Sequence, residues 1–320
     1  MNPLTGLYGL ATAARNALFD HGVLRAKRLQ RPVISVGNLS TGGSGKTPFV
    51  ITLGGWLKER DVRFDVLSRG YRRKTRGVLV VDPEGRPSDF GDEPLLLTRQ
   101  LNVPVIVGES RYQAGLAAER QFQSQLHIVD DGFQHRSLHR DFDIVILLPD
   151  DESDRLLPAG RLREPMSSLR RADALVLPPG VSLNNHGLRE KPVWRIHREI
   201  LLPELPRFPI VFCGIARPGQ FFAQIRAAGI TPAAEVAYRD HHAYAPSDIQ
   251  KLSAMRSDRG AGGFVTTEKD AVNLGPLQAD LAPFAVARLR IHLDRAPDVV
   301  ETILARIAER SRAREKIVCA

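Results

Sequence analysis

The sequence predicts an α/β protein: a mostly parallel sheet flanked by helices and carrying a phosphate-binding loop, joined to a second, smaller α/β unit. Three observations carry this. Short apolar runs alternate with helix-length segments from residue 33 to residue 177, the pattern of a parallel sheet wrapped by helices. The first run, Pro32-Val33-Ile34, passes into a glycine-rich turn ending Gly45-Lys46-Thr47-Pro48 and then into a helix-like segment. A proline-rich stretch over 178–209, lacking sustained periodicity apart from Val193-Trp194-Arg195-Ile196-His197, precedes a second alternation. The expected division is a nucleotide-binding unit over 1–190, a connection over 191–209 and a smaller unit over 210–320.

The glycine-rich turn organises the rest. In Thr41-Gly42-Gly43-Ser44-Gly45-Lys46-Thr47-Pro48, glycines let successive backbone N–H groups converge on phosphate oxygens, and the following helix N-terminus adds positive potential. Lys46 is placed to reach the β- and γ-phosphates of a nucleotide, and the Thr47 hydroxyl to sit on Mg²⁺. The strict motif has glycine six residues before Lys46, where this chain has Ser40. The strand before and the helix after distinguish the loop from an accidental Gly-Lys-Thr.

Ahead of it, Leu4, Leu7, Tyr8, Ala11, Ala14, Leu18 and Phe19 recur at helical spacing, followed by Arg15, Arg25, Lys27, Arg28 and Arg31. This reads either as a helix packed on its own unit or as an interfacial helix on an anionic bilayer. Beyond the loop, Phe64–Ser68 forms a strand entering Arg69-Gly70-Tyr71, the Arg72–Arg76 run is a solvated face or an anion-binding edge, and Gly77–Val81 is another strand. Asp92 and Glu93, at the start of a helix, are dipole-matching caps or, for Asp92, a base for an acceptor hydroxyl. Pro104–Gly108 and Leu126–Val129 are strands around a helix over 111–123, and the second ends in Asp130-Asp131, the form of a strand whose acids hold Mg²⁺. His127, His135 and His139 lack any zinc-ligand spacing. Phe142–Leu148 and Ala174–Leu177 are further strands, and the Arg-rich loop Leu157–Pro165 between them either positions phosphates or covers the sheet edge.

In the second unit, strands are expected at 210–213, 233–238, 263–267 and 285–291, with helices at 218–228, 246–255 and 297–314. Two loops close predicted strands at their carboxyl ends, where open α/β sheets place ligands: Arg239-Asp240-His241-His242 and Thr266-Thr267-Glu268-Lys269-Asp270. The first is an orienting Asp-His pair or a capping turn.

Composition bounds the partners. The 320 residues are 43% hydrophobic and 25% charged, those of an ordinary soluble globular protein. The net charge of +9 favours an anionic partner. Scattered basic residues and 6% aromatics give no stacking platform, so nucleic acid is not expected. Cys213 and Cys319, the two cysteines, make no disulfide framework and suit a reducing cytoplasm. No segment reads as a bilayer span or a signal peptide.

Taken together, Pro32–Leu39 running into Gly42–Pro48, Ser68–Tyr71, Gly91-Asp92-Glu93-Pro94, Asp130–Arg136, Leu157–Gly160, Leu162–Pro165, Asp240-His241-His242 and Thr267–Val272 resemble the tetraacyldisaccharide 4'-kinases of lipid A biosynthesis over nearly the whole chain. The resemblance implies ATP- and Mg²⁺-dependent phosphoryl transfer to the 4'-hydroxyl of a tetraacyldisaccharide 1-phosphate, by a peripheral protein on the cytoplasmic face of the inner membrane. It implies Asp92 as general base assisted by His241, and Thr47, Asp130, Asp131 and Glu164 around metal and phosphates. Arg69 or Arg163 would stabilise the transferring charge. Because His241 lies in the second unit, closure of that unit over the site is expected. The chain departs from the family pattern at Pro149–Arg155, where a Gly-Asn-containing loop is expected, and at Arg72, where many members have glycine. A nucleotide switch acting on a protein partner is the rival, with Thr267-Glu268-Lys269-Asp270 loosely echoing a guanine-reading motif.

Overall fold

The computed structural model describes residues 3–181, 183, 191–293 and 296–318. Helix α1 (Pro3–Asp20) precedes β1 (Val33–Asn38), α2 (Lys46–Lys58), β2 (Phe64–Ser68) and the short β3 (Leu79–Val80). Next come α3 (Pro87–Phe90), α4 (Asp92–Leu101), β4 (Val105–Val107), α5 (Arg111–Gln121), β5 (Leu126–Asp130), β6 (Phe142–Ile146) and β7 (Ala174–Leu177). The remainder comprises β8 (Val193–Leu201), β9 (Ile210–Cys213), α6 (Pro218–Ala227), β10 (Ala234–Ala237), α7 (Pro246–Arg259), β11 (Phe264–Thr267), α8 (Glu268–Leu274), β12 (Phe284–Leu293) and α9 (Ala296–Val318).

Among the described residues the strands form one twelve-stranded sheet in the order β10-β9-β11-β12-β8-β7-β6-β1-β5-β2-β4-β3. All neighbouring pairs are parallel except β3–β4 and β8–β12. Strands β1, β2, β5, β6 and β7 are buried end to end. Covering both faces of a parallel sheet demands this, and it is why these strands read as unbroken apolar runs.

Within the expected connection, the alternating run Val193–His197 extends into a full strand, Val193–Leu201. Val193–Arg195 of β8 pairs in parallel with β7, and Ile196–Leu201 pairs antiparallel with β12. One strand thus carries the sheet from the first set of parallel strands to the second. Trp194 and Ile196 alternate with more exposed neighbours at its start, and beyond His197 no position is fully buried, so the rest of the strand gives no alternating apolar signal in the sequence. The boundary expected at residue 190 falls at the edge of segment 184–190, outside the described residues. A single buried cluster holds Ile34, Phe49 and Leu53 with Leu95, Trp194, Ile291, Val299 and Ile303, so α9 packs on the core beneath the phosphate loop.

A second difference is α8. The stretch 266–270, expected as loop, turns helical at once because the Thr267 hydroxyl accepts the Asp270 N–H at the cap. Helix α4 starts at Asp92, with Pro94 tolerated in the first turn where N–H groups have no intrahelical partner.

Candidate active site

β1 delivers the phosphate loop to the middle of the sheet. Its neighbour β5 ends level with it, Val36 pairing with Asp130, so the loop and the two acids share one edge. Gly42, Gly43 and Gly45 adopt φ of 67°, 67° and 82°, a region costly for other residues. The Leu157–Pro165 loop lies alongside: Thr41 N donates to Arg161 O at 2.8 Å and Arg163 N to Leu39 O at 2.7 Å. It therefore flanks the phosphate loop and brings Arg163 into the site.

Lys46 Nζ donates to Asn38 Oδ1 at 3.0 Å and lies 3.5 Å from Asp131 Oδ1. Arg163 grips Asp131 with two bonds of 2.8 Å and also donates to Asn38 Oδ1. Ser44 and Thr47 are buried, Thr47 in the first turn of α2. The two adjacent acids diverge. Burial works against ionisation at both, but Lys46 and Arg163 hold Asp131 well below the usual carboxylate range. At Asp130, burial and the charges of Glu93 and Asp131 outweigh Lys46 and push the carboxyl up. Asp130 Oδ1 is buried with no hydrogen-bond partner.

Across the sheet edge, Gly91 (φ 93°) hands the chain into α4, so that Asp92 stands in its first turn, 4% exposed. Its carboxylate is met by His241 Nδ1 at 2.8 and 2.9 Å and by Asn273 Nδ2 of α8 at 2.9 Å. Lys269 Nζ lies 4.0 Å from Asp92, 3.5 Å from Glu93 and 3.2 Å from Asp240, and donates to His241 Nε2 at 3.1 Å. With Lys269 donating to Nε2, the imidazole proton sits on Nδ1 and faces the carboxylate. Burial alone would raise the Asp92 pKa, but the His241 hydrogen bond, then Lys269 and Asn273, bring it below its ordinary value. His241 adopts φ 56°.

The neighbouring His242 is spent elsewhere. It bonds Asp248 at 2.9 Å and stacks on Tyr238, with ring centroids 4.6 Å apart. The guanine-reading echo dissolves in the same way: Asp270 is fully buried and accepts from Gly214 N, Tyr244 Oη and Thr267 Oγ1.

Arg69 stands exposed after β2, its charge acting on Arg111 and His135. Glu164 is buried, with its carboxylate bound by Asn16 of α1 at 2.8 Å and by Arg171 at 2.8 Å. Tyr8 Oη donates to Arg163 O at 3.0 Å, so α1 is tied to the Arg163-Glu164 dipeptide. Its other face is open, with Leu4, Leu7 and Leu10 59%, 66% and 71% exposed.

Sequence reasoning missed Asn38, Lys269 and Asn273 as members of this site. Asn38 ends the strand before the phosphate loop. Lys269 and Asn273, four apart, share one face of α8, a signal hidden while 266–270 reads as loop.

Comparison with known proteins gives the family. A family model described as tetraacyldisaccharide-1-P 4'-kinase matches residues 1–308. The tetraacyldisaccharide 4'-kinase of Koribacter versatilis is 48% identical over 320 residues, spanning 97% of this chain and 99% of that protein. That of Aquifex aeolicus is 40% identical over 289 residues, spanning 85% and 88%. A crystal structure of the Aquifex aeolicus protein in complex with ATP superposes with a TM-score of 0.78 at 36% identity, covering 95% of this chain and 97% of that one. With a phosphate loop, a paired acid strand and an Asp–His contact in one place, the chain belongs to the tetraacyldisaccharide 4'-kinase family, the kinases of lipid A biosynthesis.

Proposed function

We propose that this chain transfers the γ-phosphoryl group of ATP to the 4'-hydroxyl of a tetraacyldisaccharide 1-phosphate, as a peripheral protein on the cytoplasmic face of the inner membrane. The observation that carries the reading is the Asp92–His241 contact, joining residues 149 positions apart. A hydrolase has no need of a fixed carboxylate for an acceptor hydroxyl, and here one stands next to Glu93, whose charge is felt at the phosphate-loop acid Asp130.

A divalent cation fits the residues present. The unpartnered, buried Asp130 Oδ1 and the repulsion it suffers from Glu93 and Asp131 are both relieved by a positive ion. Asp130 and the Thr47 hydroxyl would hold Mg²⁺, with Asp131 joining once Arg163 releases one of its oxygens; when bound, the ion neutralises phosphate charge. Glu164 would join only by releasing Asn16 or Arg171.

The chain's own groups then act as follows. Backbone N–H groups of Thr41–Thr47 cradle the phosphates, and Lys46 exchanges Asn38 and Asp131 for phosphate oxygens. Arg163, and Arg69 at the edge, offset charge developing on the transferred group. Asp92, ionised at neutral pH, accepts the sugar hydroxyl proton while His241 holds its orientation. The division at 1–190, 191–209 and 210–320 belongs to the same proposal, with closure of the last unit excluding water from a site in which His241 already meets Asp92. So does the membrane: α1 is held on one face by Tyr8, Asn16 and Asp20, and presents Leu4, Leu7 and Leu10 with Arg25, Lys27 and Arg28 following.

Labelled γ-phosphate from ATP, tetraacyldisaccharide 1-phosphate in detergent micelles and the Asp92→Ala protein test the reading. Labelled lipid with the wild type and almost none with Asp92→Ala are expected. ATP hydrolysis without labelled lipid would overturn it.

A further inference from the structure

We propose that the Gly70-Tyr71-Arg72 turn is a bracket that sets His241 against Asp92, with Arg72 as its positioning residue; this rests on the kinase reading above. Arg72 Nη1 donates to the carbonyl oxygens of Asp240 at 2.6 Å and His241 at 3.0 Å. The Tyr71 ring meets the His241 ring edge-on, with centroids 5.1 Å apart at 61°. The backbone and the ring of His241 are therefore both held by adjacent residues from the other end of the chain.

The same turn rests on the segment that leads into Asp92. A Cβ at Gly70 would lie 2.8 Å from Phe90 O, and one at Gly91 would lie 3.0 Å from Tyr71 O. Neither glycine has room for a side chain, so the turn and the start of α4 are in direct backbone contact. One three-residue turn thus touches the approach to Asp92 on one side and His241 on the other. Only a fixed separation between those two contacts allows the 2.8 Å bond between imidazole and carboxylate.

His241 needs such support. Its φ of 56° is unfavourable for a side chain of its size. Its N–H is held by Gly214 O at 3.0 Å, and its carbonyl by Arg72. Removing the guanidinium leaves one end of the peptide free to relax towards an ordinary conformation, swinging the ring away from Asp92. Charge-assisted bonds to carbonyls suit arginine because Nη1 alone carries two N–H donors, one for each carbonyl oxygen. Arg72 touches neither Asp92 nor the phosphate loop in any hydrogen bond of the described residues, so it acts through His241.

Arg72→Gly isolates the guanidinium, because glycine adopts the Arg72 φ of 62° without strain. In labelled phosphate transfer, kcat of Arg72→Gly is expected to fall about tenfold or more with the KM for ATP within about twofold of the wild type. In a His241→Ala background the same change should cost nothing further. Equal losses in both backgrounds, or unchanged kcat, would overturn the proposal. Amide hydrogen exchange over 239–243, measured without substrate, reads the bracket independently of any activity. Exchange about tenfold faster in Arg72→Gly supports it, and identical exchange refutes it. A wild-type protein that labels no lipid yet shows the exchange difference would sink the kinase reading and leave the bracket standing.

Discussion

Adjacent residues of like chemistry are driven apart by their surroundings, and that is how single side chains acquire roles here. Asp130 and Asp131 follow one another, yet two cations hold one ionised while burial and Glu93 resist ionisation of the other. His241 and His242 follow one another, yet one meets Asp92 and the other Asp248. The sequence shows the pairs and cannot show the split, because the partners come from α4, α7 and the Arg163 loop. Asp92→Ala should lower turnover by about 10²- to 10⁴-fold, the range for removing a general base, as read by steady-state transfer. A titrating group far from the site gives a second prediction. Burial alone would lower the His127 pKa, but Asp65 at 2.7 Å and Glu119 at 3.4 Å raise it. A raised folded-state pKa contributes stability that is complete below the unfolded value of about 6.5 and is lost as pH climbs through the folded value. The His127 contribution to the thermal midpoint should therefore decline as pH rises above about 6.5, and His127→Gln should flatten that decline.

Elements were legible where burial is uniform or periodicity is long. The strands around the phosphate loop are largely apolar, and α5, α6, α7 and α9 follow expectation to within a few residues at most ends. Two elements escaped for definite reasons. β8 lies between prolines and serves two different neighbours, so its alternation answers to no single sheet face. α8 is seven residues long and starts on a local cap, too short for a periodic signal. Its cap is testable: Thr267→Ala should cost about 1 kcal/mol of stability in chemical denaturation. Because Lys269 and Asn273 ride on α8, the same change should reduce transfer more than its stability cost implies. α1 packs on its own unit through one face, bonded to Arg163 and Glu164, and its other face presents the exposed leucines on which the membrane proposal rests.

At the scale of the molecule, a continuous sheet with a reversal at β8–β12 brings the start and the end of the chain to one site. Net charge, +9 overall, and the open face of α1 fit an anionic surface. Replacing Leu7 and Leu10 by Glu should abolish sedimentation with vesicles containing anionic lipid while leaving the thermal midpoint unchanged; retained sedimentation would remove the membrane role of α1. The central claim is that two distant stretches of chain build one proton-accepting unit, Asp92 with His241. A double-mutant cycle tests it most directly, comparing kcat for labelled phosphate transfer in the wild type, Asp92→Asn, His241→Ala and the double variant. The double variant should be about as slow as Asp92→Asn alone, because each residue works through the other. Losses that multiply would mean that the two act separately, and would contradict the claim.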